Sequence, residues 1–293
     1  MIKKERVLVL GAGGQLGQCL KKASERYKEY FSFDFLSSKE LDITNFSAVE
    51  EYFSSCRVHF CINASAYTAV DLAEENEEKA YAVNAYGVKN LATECRKQRA
   101  ALFQISTDYV FDGDTSIPYG EDDFTAPLGV YGRSKCAGEE YALGGNPKTI
   151  VIRTSWLYSE FGKNFVKTML RLFDTKKELS VVSDQFGQPT NANDLAEAIF
   201  KMMGAKIHKY GIFHYSNTPE TTWFDFAQKI LYLSGRSVRL SPIATEAYPT
   251  PAKRPKRSTL ALDKIEREYG VEIKRWERSL EECVRSLGIN IRE

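Results

Sequence analysis

Residues 6–17, RVLVLGAGGQLG, decide the fold of this chain. The apolar half, residues 6–10, has the composition of a short strand that is buried on both faces of a parallel sheet. The second half is a glycine-rich turn that leads into helix-compatible residues. Glycines at positions 11, 14 and 17 let the backbone approach a pyrophosphate at the N-terminus of that helix. In this strand–turn–helix context, the pattern predicts a dinucleotide-binding fold.

Four further apolar runs alternate with helical segments along the first half of the chain. They span residues 30–35, 58–63, 101–105 and 149–153, and we expect each to form a strand. The alternation predicts an α/β fold with a doubly wound parallel sheet of the Rossmann type, whose ligand site follows the carboxyl ends of the strands. The regularity weakens after residue 154. We therefore predict a dinucleotide-binding domain over residues 1–154 and a smaller, mixed α/β substrate domain over residues 155–293, some of whose segments return to the first domain.

Composition excludes several classes of protein. The 293 residues carry a formal net charge of +1, so no basic excess indicates a nucleic-acid partner. No apolar run is long enough to span a membrane, and the N-terminus lacks the apolar region of a secretory signal. The six cysteines are scattered without a C-x-x-C pair, which favours reduced thiols over disulfides or a metal site. We expect a cytoplasmic protein that binds no membrane, no nucleic acid and no metal.

The pentapeptide YGRSK, residues 131–135, is the candidate catalytic motif. Residues four positions apart lie on one face of a helix, so Lys135 would place an ammonium near the phenol of Tyr131. A neighbouring positive charge lowers the pKa of a phenol from its usual value of about 10. The pair could then exchange a proton with a substrate oxygen. Such spacing is common among surface residues, so it indicates catalysis only together with other features of the chain.

Polar and small residues follow the predicted strands. Asp34 lies near the position of an acidic residue that binds an adenosine ribose, although it could equally be a turn residue at a strand end. Asp42 could either cap the next helix or touch the adenine. Small residues at positions 64–69 leave room for a ligand. Thr107 could bind a substrate carbonyl oxygen, or its hydroxyl could bond only the local backbone.

Several of these segments together resemble the extended short-chain dehydrogenase/reductase superfamily. Those that carry this resemblance are residues 11–17, 63–71, 106–113 and 131–135. Six segments are similar in sequence to the dTDP-4-dehydrorhamnose reductase family. They are NASAYTAVD (63–71), STDYVFDG (106–113), RTSWLY (153–158), DQFGQPT (184–190) and residues 164–170 and 248–255. The similarity covers nearly the whole chain in order.

The resemblance implies an activity and a set of site residues. The implied reaction is the nicotinamide-dependent reduction of the C4 ketone of dTDP-4-dehydro-L-rhamnose to dTDP-L-rhamnose, the last step of dTDP-L-rhamnose biosynthesis. Tyr131 would protonate the C4 oxygen, Lys135 would lower the tyrosine pKa and hold the nicotinamide ribose, and Thr107 would hydrogen-bond the ketone. Asp108 and Trp156 would face the sugar nucleotide with Thr107. The implied coenzyme-binding residues, besides Tyr131 and Lys135, are Gly11, Gly14, Gln15, Leu16, Gly17, Asp34, Asp42, Ile43, Ala64, Ala66, Tyr67 and Thr68.

Alternatives to this reading are open at this point. Sugar-nucleotide dehydratases place a glutamate where this chain has Tyr109, which favours reduction over elimination of water. Another nucleotide-sugar reductase or epimerase would use the same Tyr–Lys pair. The regulatory beta subunit of methionine adenosyltransferase, a binding partner rather than a reductase, also resembles this family.

The coenzyme and the oligomeric state are open as well. Asp34 would repel a 2′-phosphate and favours NADH, whereas Lys39 could reach a phosphate. The sequence therefore allows either NADPH or NADH as the coenzyme. The resemblance allows a homodimer. Some family members join their subunits through magnesium held by glutamates, but the matching position here is Cys19, a poor magnesium ligand.

Overall fold

A computed structural model of the chain describes residues 4–291. Within this range the strands are β1 (Glu5–Leu10), β2 (Phe31–Leu36), β3 (Phe60–Asn63), β4 (Ala101–Thr107), β5 (Thr149–Thr154), β6 (Leu157–Tyr158), β7 (Glu178–Val182), β8 (Phe186–Gly187), β9 (Thr190–Asn191), β10 (Gly211–His214), β11 (Thr221–Thr222) and β12 (Arg239–Ile243). The α-helices in the same range are α1 (Gln15–Ser24), α2 (Phe46–Ser55), α3 (Val70–Ala73), α4 (Glu77–Tyr81), α5 (Gly87–Gln98), α6 (Val130–Gly145), α7 (Phe165–Thr175), α8 (Ala192–Met203), α9 (Trp223–Ser234), α10 (Asp263–Tyr269) and α11 (Trp276–Ser286).

Six strands form one parallel sheet in the order β10-β5-β4-β3-β1-β2. The strand that carries the glycine turn, β1, lies between β2 and β3, with Leu10 opposite both Leu36 and Asn63. The chain order reverses at this point, which is where open α/β sheets bind their ligands. The predicted Rossmann-type architecture is confirmed. The sixth strand, β10, comes from the C-terminal half of the chain.

Side chains of β1 alternate between the two faces of the sheet, and each face has its own apolar core. Val7 and Val9 pack in a cluster with residues of α1 and α8, whereas Leu8 and Leu10 pack in a cluster with residues of α2 and α5. All four side chains are fully buried. Burial of such a side chain stabilises the fold by about 1.5–3 kcal/mol. The continuous apolar run is therefore explained by burial on both sides.

The remaining C-terminal elements form a third core beside the carboxyl ends of the sheet. Helices α7, α9 and α11 surround buried Tyr158, Phe226 and Leu280. Two-stranded pairings of β7 with β12, β8 with β11 and β6 with β9 connect this region. Helices α8 and α10, by contrast, supply Ile199 and Ile265 to the core of the main sheet.

Two boundaries differ from the sequence-based prediction in a way that affects the site. Strand β2 continues to Leu36, one residue beyond the predicted end. The predicted helix over residues 80–99 contains a π-helical turn at Ala82–Tyr86 between α4 and α5. Across residues 4–291, the structure has no helix with the length and apolar character needed to cross a membrane.

Candidate active site

The glycine turn after β1 forms a tight backbone cradle. Gly11 has φ +75°, in the left-handed region, and a Cβ there would lie 2.7 Å from the backbone of Ala64. A Cβ on Gly17 would lie 2.6 Å from the Cα of Ala12. Gly14 is the N-cap of α1, so the free N–H groups of that helix point toward the turn. The close approach of these backbone segments requires glycine at both 11 and 17.

A groove of ≈ 330 Å³ runs over this cradle along the carboxyl ends of β1, β2 and β3. Seven residues predicted to bind the coenzyme line it, namely Gly11, Gly14, Asp42, Ile43, Ala64, Ala66 and Tyr67. Six others that were not predicted line it too, namely Gly13, Ser37, Ser38, Leu41, Ser65 and Val83. The structure thus brings together three predicted parts of the coenzyme site: the glycine turn after β1, the residues before α2 and the residues after β3.

Seven predicted coenzyme ligands do not line this groove, namely Gln15, Leu16, Gly17, Asp34, Thr68, Tyr131 and Lys135. Leu16 is buried in the core of the main sheet, and Gly17 is buried against the glycine turn. The amide of Gln15 donates to the carbonyl of Leu157 at 3.1 Å and accepts from Asn164 at 2.7 Å, so this side chain joins α1 to the C-terminal region. Thr68 is exposed beyond the groove.

Asp34 also lies outside the groove. Its carboxylate accepts a hydrogen bond from the Tyr52 phenol at 2.7 Å and lies 3.7 Å from the guanidinium of Arg6. Asp34 sits two residues before the end of β2, and Ser37 and Ser38 follow that strand and line the groove. Binding of the adenosine ribose by Asp34 stays a prediction.

The catalytic motif lies in the first turn of α6, and a distant carboxylate fixes that turn. Oε1 of Glu74 accepts a hydrogen bond from the backbone N–H of Val130 at 2.8 Å. A Cβ at Gly129, the N-cap of this helix, would lie 2.5 Å from the same oxygen. A carboxylate also interacts favourably with the positive end of a helix dipole. Glu74 therefore positions the backbone next to Tyr131, a role that the acidic run in the sequence did not reveal.

Tyr131 is a neutral phenol in this environment. Burial raises the pKa of Tyr131 to about 12, and a hydrogen bond with Thr107 only partly offsets this rise. The sequence predicted the opposite direction, through an effect of Lys135. Desolvation of the phenolate and the nearby charge of Asp108 raise the pKa of Tyr131, while the ammonium of Lys135 is engaged at the Ile105 carbonyl. The ring of Tyr109 packs edge-on against Tyr131 with centroids 5.6 Å apart, and burial raises the pKa of Tyr109 as well.

Lys135 is buried one helical turn beyond Tyr131. Its ammonium donates a hydrogen bond to the carbonyl oxygen of Ile105 at 2.6 Å. Burial lowers the pKa of Lys135 to about 8, while the nearby charge of Glu139 acts in the opposite direction. Tyr131, Lys135 and Glu139 follow at intervals of four residues, so they share one face of α6.

A buried ion pair joins α6 to β5, next to the strand that ends at Thr107. Glu139 accepts three hydrogen bonds from the guanidinium of Arg153, the shortest 2.7 Å from Nη2 to Oε2. The hydroxyl of Ser106 donates to Oε1 of Glu139 at 2.5 Å. Arg153 also lies over the ring of Phe111, with 5.1 Å from its Cζ to the ring centroid. This network fixes β4 and β5 immediately beside Thr107.

The end of β4 places two polar side chains in a buried turn. The hydroxyl of Thr107 accepts from the backbone N–H of Tyr109 at 3.2 Å and donates to Oδ1 of Asp108 at 3.0 Å. Oδ2 of Asp108 accepts from the hydroxyl of Ser258 at 2.5 Å. Burial raises the pKa of Asp108 to about 6 despite these donors. Asp108 is only 2% exposed, so it does not present a free carboxylate to a sugar.

Trp156, predicted to face the sugar nucleotide, has an unusual backbone. Its φ is +45°, a left-handed conformation that is rare for a residue with a Cβ. The indole is stacked on that of Trp223, with ring centroids 3.5 Å apart and planes 8° from parallel. A Cβ at Gly187 would lie 2.7 Å from the Trp156 ring. Backbone strain held by surrounding packing is typical of functional sites.

Asn84 connects the groove to the catalytic helix. From the π-helical turn, its side-chain oxygen accepts from the backbone N–H of Tyr67 at 2.8 Å, and its amide donates to the hydroxyl of Ser134 at 3.0 Å. Single π-turns inside helices often occur at functional sites. No local sequence pattern distinguished this asparagine from other helical polar residues.

Comparisons with known proteins agree with this geometry. Residues 5–289 match the family model described as the RmlD substrate binding domain. A dTDP-4-dehydrorhamnose reductase of Aggregatibacter actinomycetemcomitans is 44% identical over 94% of this chain and 97% of its own length.

Two solved structures are similar over the whole fold. A dTDP-4-dehydrorhamnose reductase of Clostridium acetobutylicum is 41% identical, with a TM-score of 0.93, over 97% of this chain and 100% of that one. The Bacillus anthracis enzyme of the same name, in complex with NADP, is 40% identical with the same TM-score and coverage. The chain therefore belongs to the RmlD substrate-binding domain family, which confirms the resemblance to dTDP-4-dehydrorhamnose reductases.

Proposed function

We propose that this protein reduces the C4 ketone of dTDP-4-dehydro-L-rhamnose to dTDP-L-rhamnose with NADPH or NADH. The observation that carries the proposal is the position of the neutral Tyr131 phenol on α6, one turn from Lys135 and beside Thr107 at the end of β4, on the edge of the sheet where β1 and β3 lead into the groove. Membership in the family and the names of its relatives give the substrate class.

The groove fits a dinucleotide. Glycine at position 11 lets the turn pack directly against the backbone of Ala64, and the N-terminus of α1 points free N–H groups toward the groove, where a pyrophosphate would lie. When bound, the coenzyme supplies the hydride. Ser37 and Ser38 line the groove after β2 and Asp34 does not, but the Glu40 carboxylate accepts from the backbone N–H and the hydroxyl of Ser37 at 2.8 Å, and Asp42 lines the groove as well. These carboxylates would disfavour a 2′-phosphate, whereas a relative of the same family is solved in complex with NADP. We therefore propose that both NADPH and NADH are accepted, which a comparison of their Michaelis constants tests.

Proton donation by Tyr131 completes the reduction. The phenol is protonated at neutral pH because burial disfavours its anion, so it is in the form needed to protonate a developing alkoxide. Thr107 can turn its hydroxyl toward the ketone oxygen and stabilise the negative charge that develops there. We propose that Lys135, whose ammonium is hydrogen-bonded to the carbonyl of Ile105, supplies positive charge near the reacting oxygens and holds the nicotinamide ribose.

We propose that residues 155–291 bind most of the sugar nucleotide, as the sequence predicts. The Trp156 indole, rigidly stacked on Trp223, offers a flat apolar face at the sugar side. The basic segment at residues 253–257 lies on the same side, since neighbouring Ser258 reaches Asp108. Asp108 would act on the sugar side only through the hydroxyls that it binds, because its own oxygens are occupied.

The decisive experiment follows NADPH absorbance when the purified protein meets dTDP-4-dehydro-L-rhamnose and a small panel of other nucleotide sugars. We expect oxidation of NADPH with the dTDP-ketosugar. Absence of oxidation with every sugar would refute the enzyme and leave the regulatory-subunit alternative. Oxidation only with another sugar would correct the substrate. Tyr109 supports reduction over dehydration, because it stands where dehydratases carry a glutamate and supplies no carboxyl group for the removal of water.

We also propose a cytoplasmic location, and free thiols at all six cysteines fit a reducing compartment. Homodimerisation remains a prediction from the resemblance, which sedimentation at several protein concentrations would test. Cys19 is fully buried in the core of the main sheet, so this position cannot offer a ligand to a metal between subunits.

A further inference from the structure

The side-chain amide of Gln15 joins the glycine turn to the C-terminal region through two hydrogen bonds. Its Nε2 donates to the carbonyl oxygen of Leu157 at 3.1 Å, and its Oε1 accepts from Nδ2 of Asn164 at 2.7 Å. Gln15 is the first residue of α1 and follows Gly14, the N-cap of that helix. A residue at the edge of the coenzyme turn therefore has both of its polar side-chain atoms bonded to the C-terminal region.

The neighbours of this amide fix its orientation. A carbonyl oxygen only accepts, so the nitrogen of the Gln15 amide has to face Leu157. The oxygen then faces Asn164, whose own side-chain oxygen accepts from the backbone N–H of Lys167 at 3.1 Å and so caps α7. A Cβ at Gly162 would lie 3.3 Å from the Cβ of Gln15, so the loop before α7 packs closely over this side chain. The position needs both a donor and an acceptor, which glutamine provides.

Both partners of this amide are sequence neighbours of the aromatic stack. Leu157 directly follows Trp156, and Asn164 directly precedes Phe165. The ring of Phe165 packs on Trp223 with centroids 4.6 Å apart, and Trp223 is stacked on Trp156 at 3.5 Å. The two hydrogen bonds of the amide thus reach the same pair of indoles by two separate routes.

We propose that Gln15 is a positioning residue that couples the two binding sites, so that coenzyme and sugar nucleotide each strengthen the binding of the other. The inference rests on the proposed function, which places a dinucleotide in the groove and a sugar nucleotide beside Trp156. A pyrophosphate at the N-terminus of α1 immobilises the glycine turn and the first residue of the helix. Because the amide bonds Leu157 and Asn164, the same event orders the segment that holds the indoles. A sugar nucleotide that meets an ordered site loses less conformational entropy on binding.

A second link between the same two elements provides a matched control. Nζ of Lys22, about two turns further along α1, lies 2.7 Å from Oε1 of Glu160 in the loop between β6 and α7. The Lys22 side chain is 56% exposed. Lys22→Met therefore removes a contact between α1 and this loop while both hydrogen bonds of the Gln15 amide remain.

Titration calorimetry with NADP⁺ and dTDP-L-rhamnose, each alone and each in the presence of the other, measures the coupling. In the wild type we expect each ligand to tighten the binding of the other by about tenfold, since coupling between two sites is reciprocal. Gln15→Met should reduce this factor to less than about twofold, while the affinity for NADP⁺ alone changes by less than about threefold. Lys22→Met should keep the full factor.

A second variant changes the other end of the contact. Asn164→Asp keeps an oxygen that can cap α7, but it loses the amide that bonds Gln15 and two carbonyl oxygens of the loop. We expect this variant to lose the coupling as well. Full coupling in both Gln15→Met and Asn164→Asp would overturn the proposal, as would a loss in Lys22→Met equal to that in Gln15→Met.

Hydrogen exchange in the presence of NADP⁺ alone gives a readout that needs no sugar nucleotide. In the wild type we expect NADP⁺ to slow the exchange of backbone amides in residues 6–20 and in residues 157–167. In Gln15→Met, the protection should remain in residues 6–20 and disappear from residues 157–167. Equal protection of residues 157–167 in both proteins, or none there in the wild type, would contradict the coupling role. Absence of NADPH oxidation would refute the proposed function instead, and the exchange measurement would still test Gln15.

Discussion

Replacement of Glu139 by glutamine should destabilise the protein far more than replacement of an exposed glutamate. The Glu139 and Arg153 side chains are 4% and 3% exposed, and three N–H···O contacts join them. The variant leaves the guanidinium buried without its countercharge. Loss of one partner of a buried pair costs about 3–5 kcal/mol. For a chain of this size, that loss lowers the melting temperature by roughly 10 °C.

A matched control separates burial from the mere loss of an ion pair. Glu178 lies 3.5 Å from Arg239, but these side chains are 71% and 76% exposed. Glu178→Gln should therefore cost less than about 1 kcal/mol. Urea denaturation followed by circular dichroism measures both free energies of unfolding. Equal losses in the two variants would refute the reasoning, as would failure of the apolar double variant Glu139→Leu/Arg153→Met to recover most of the lost stability.

Four further perturbations test other parts of the site. Tyr131→Phe should lower the turnover rate by about 100-fold or more while NADPH affinity, measured by fluorescence titration, stays nearly constant; full activity would contradict the role of the phenol. The reduction rate should fall as pH rises through about 8, where Lys135 loses its proton, and Lys135→Met should remove this decline. Gly187→Ala should raise the KM for the sugar nucleotide more than that for NADPH, since the new methyl would lie 2.7 Å from the ring of Trp156; equal effects would place the indole outside the sugar site. Burial lowers the pKa of His214 from 6.5 to about 3, so the unfolded chain binds more protons than the folded chain between these pH values. The free energy of unfolding should therefore fall as pH drops from 6.5 toward 3. Urea titrations at several pH values measure this dependence, and His214→Phe should flatten it.

Much of the main sheet was predictable because its strands are buried on both faces. A strand in that position must be apolar along its length, so β1, β3, β4 and β5 stand out as continuous runs. The glycine turn was equally predictable, since Gly11 and Gly17 lie where a Cβ would clash with neighbouring backbone atoms. These features depend on local chemistry, which sequence displays directly.

Other parts of the site are formed by contacts between residues far apart in the sequence, which no local pattern encodes. Glu74 reaches the N–H of Val130, and Ser258 reaches Asp108, across 56 and 150 positions. The end of β2 at Leu36, which places Ser37 and Ser38 in the groove, was not predicted because no stop signal follows residue 35 in the sequence. The direction of the Tyr131 pKa shift depended on burial, which requires the packed fold.

The two stacked indoles give this protein an internal optical reporter. The chain has three tryptophans, and two of them are held face to face at 3.5 Å. Chromophores at that separation couple strongly, so their near-ultraviolet dichroism and emission depend on the stack rather than on either ring alone. The third, Trp276, is buried among the C-terminal helices and supplies a constant background. We therefore expect a ligand that contacts the Trp156–Trp223 stack to change this signal, so that its binding can be followed without a label.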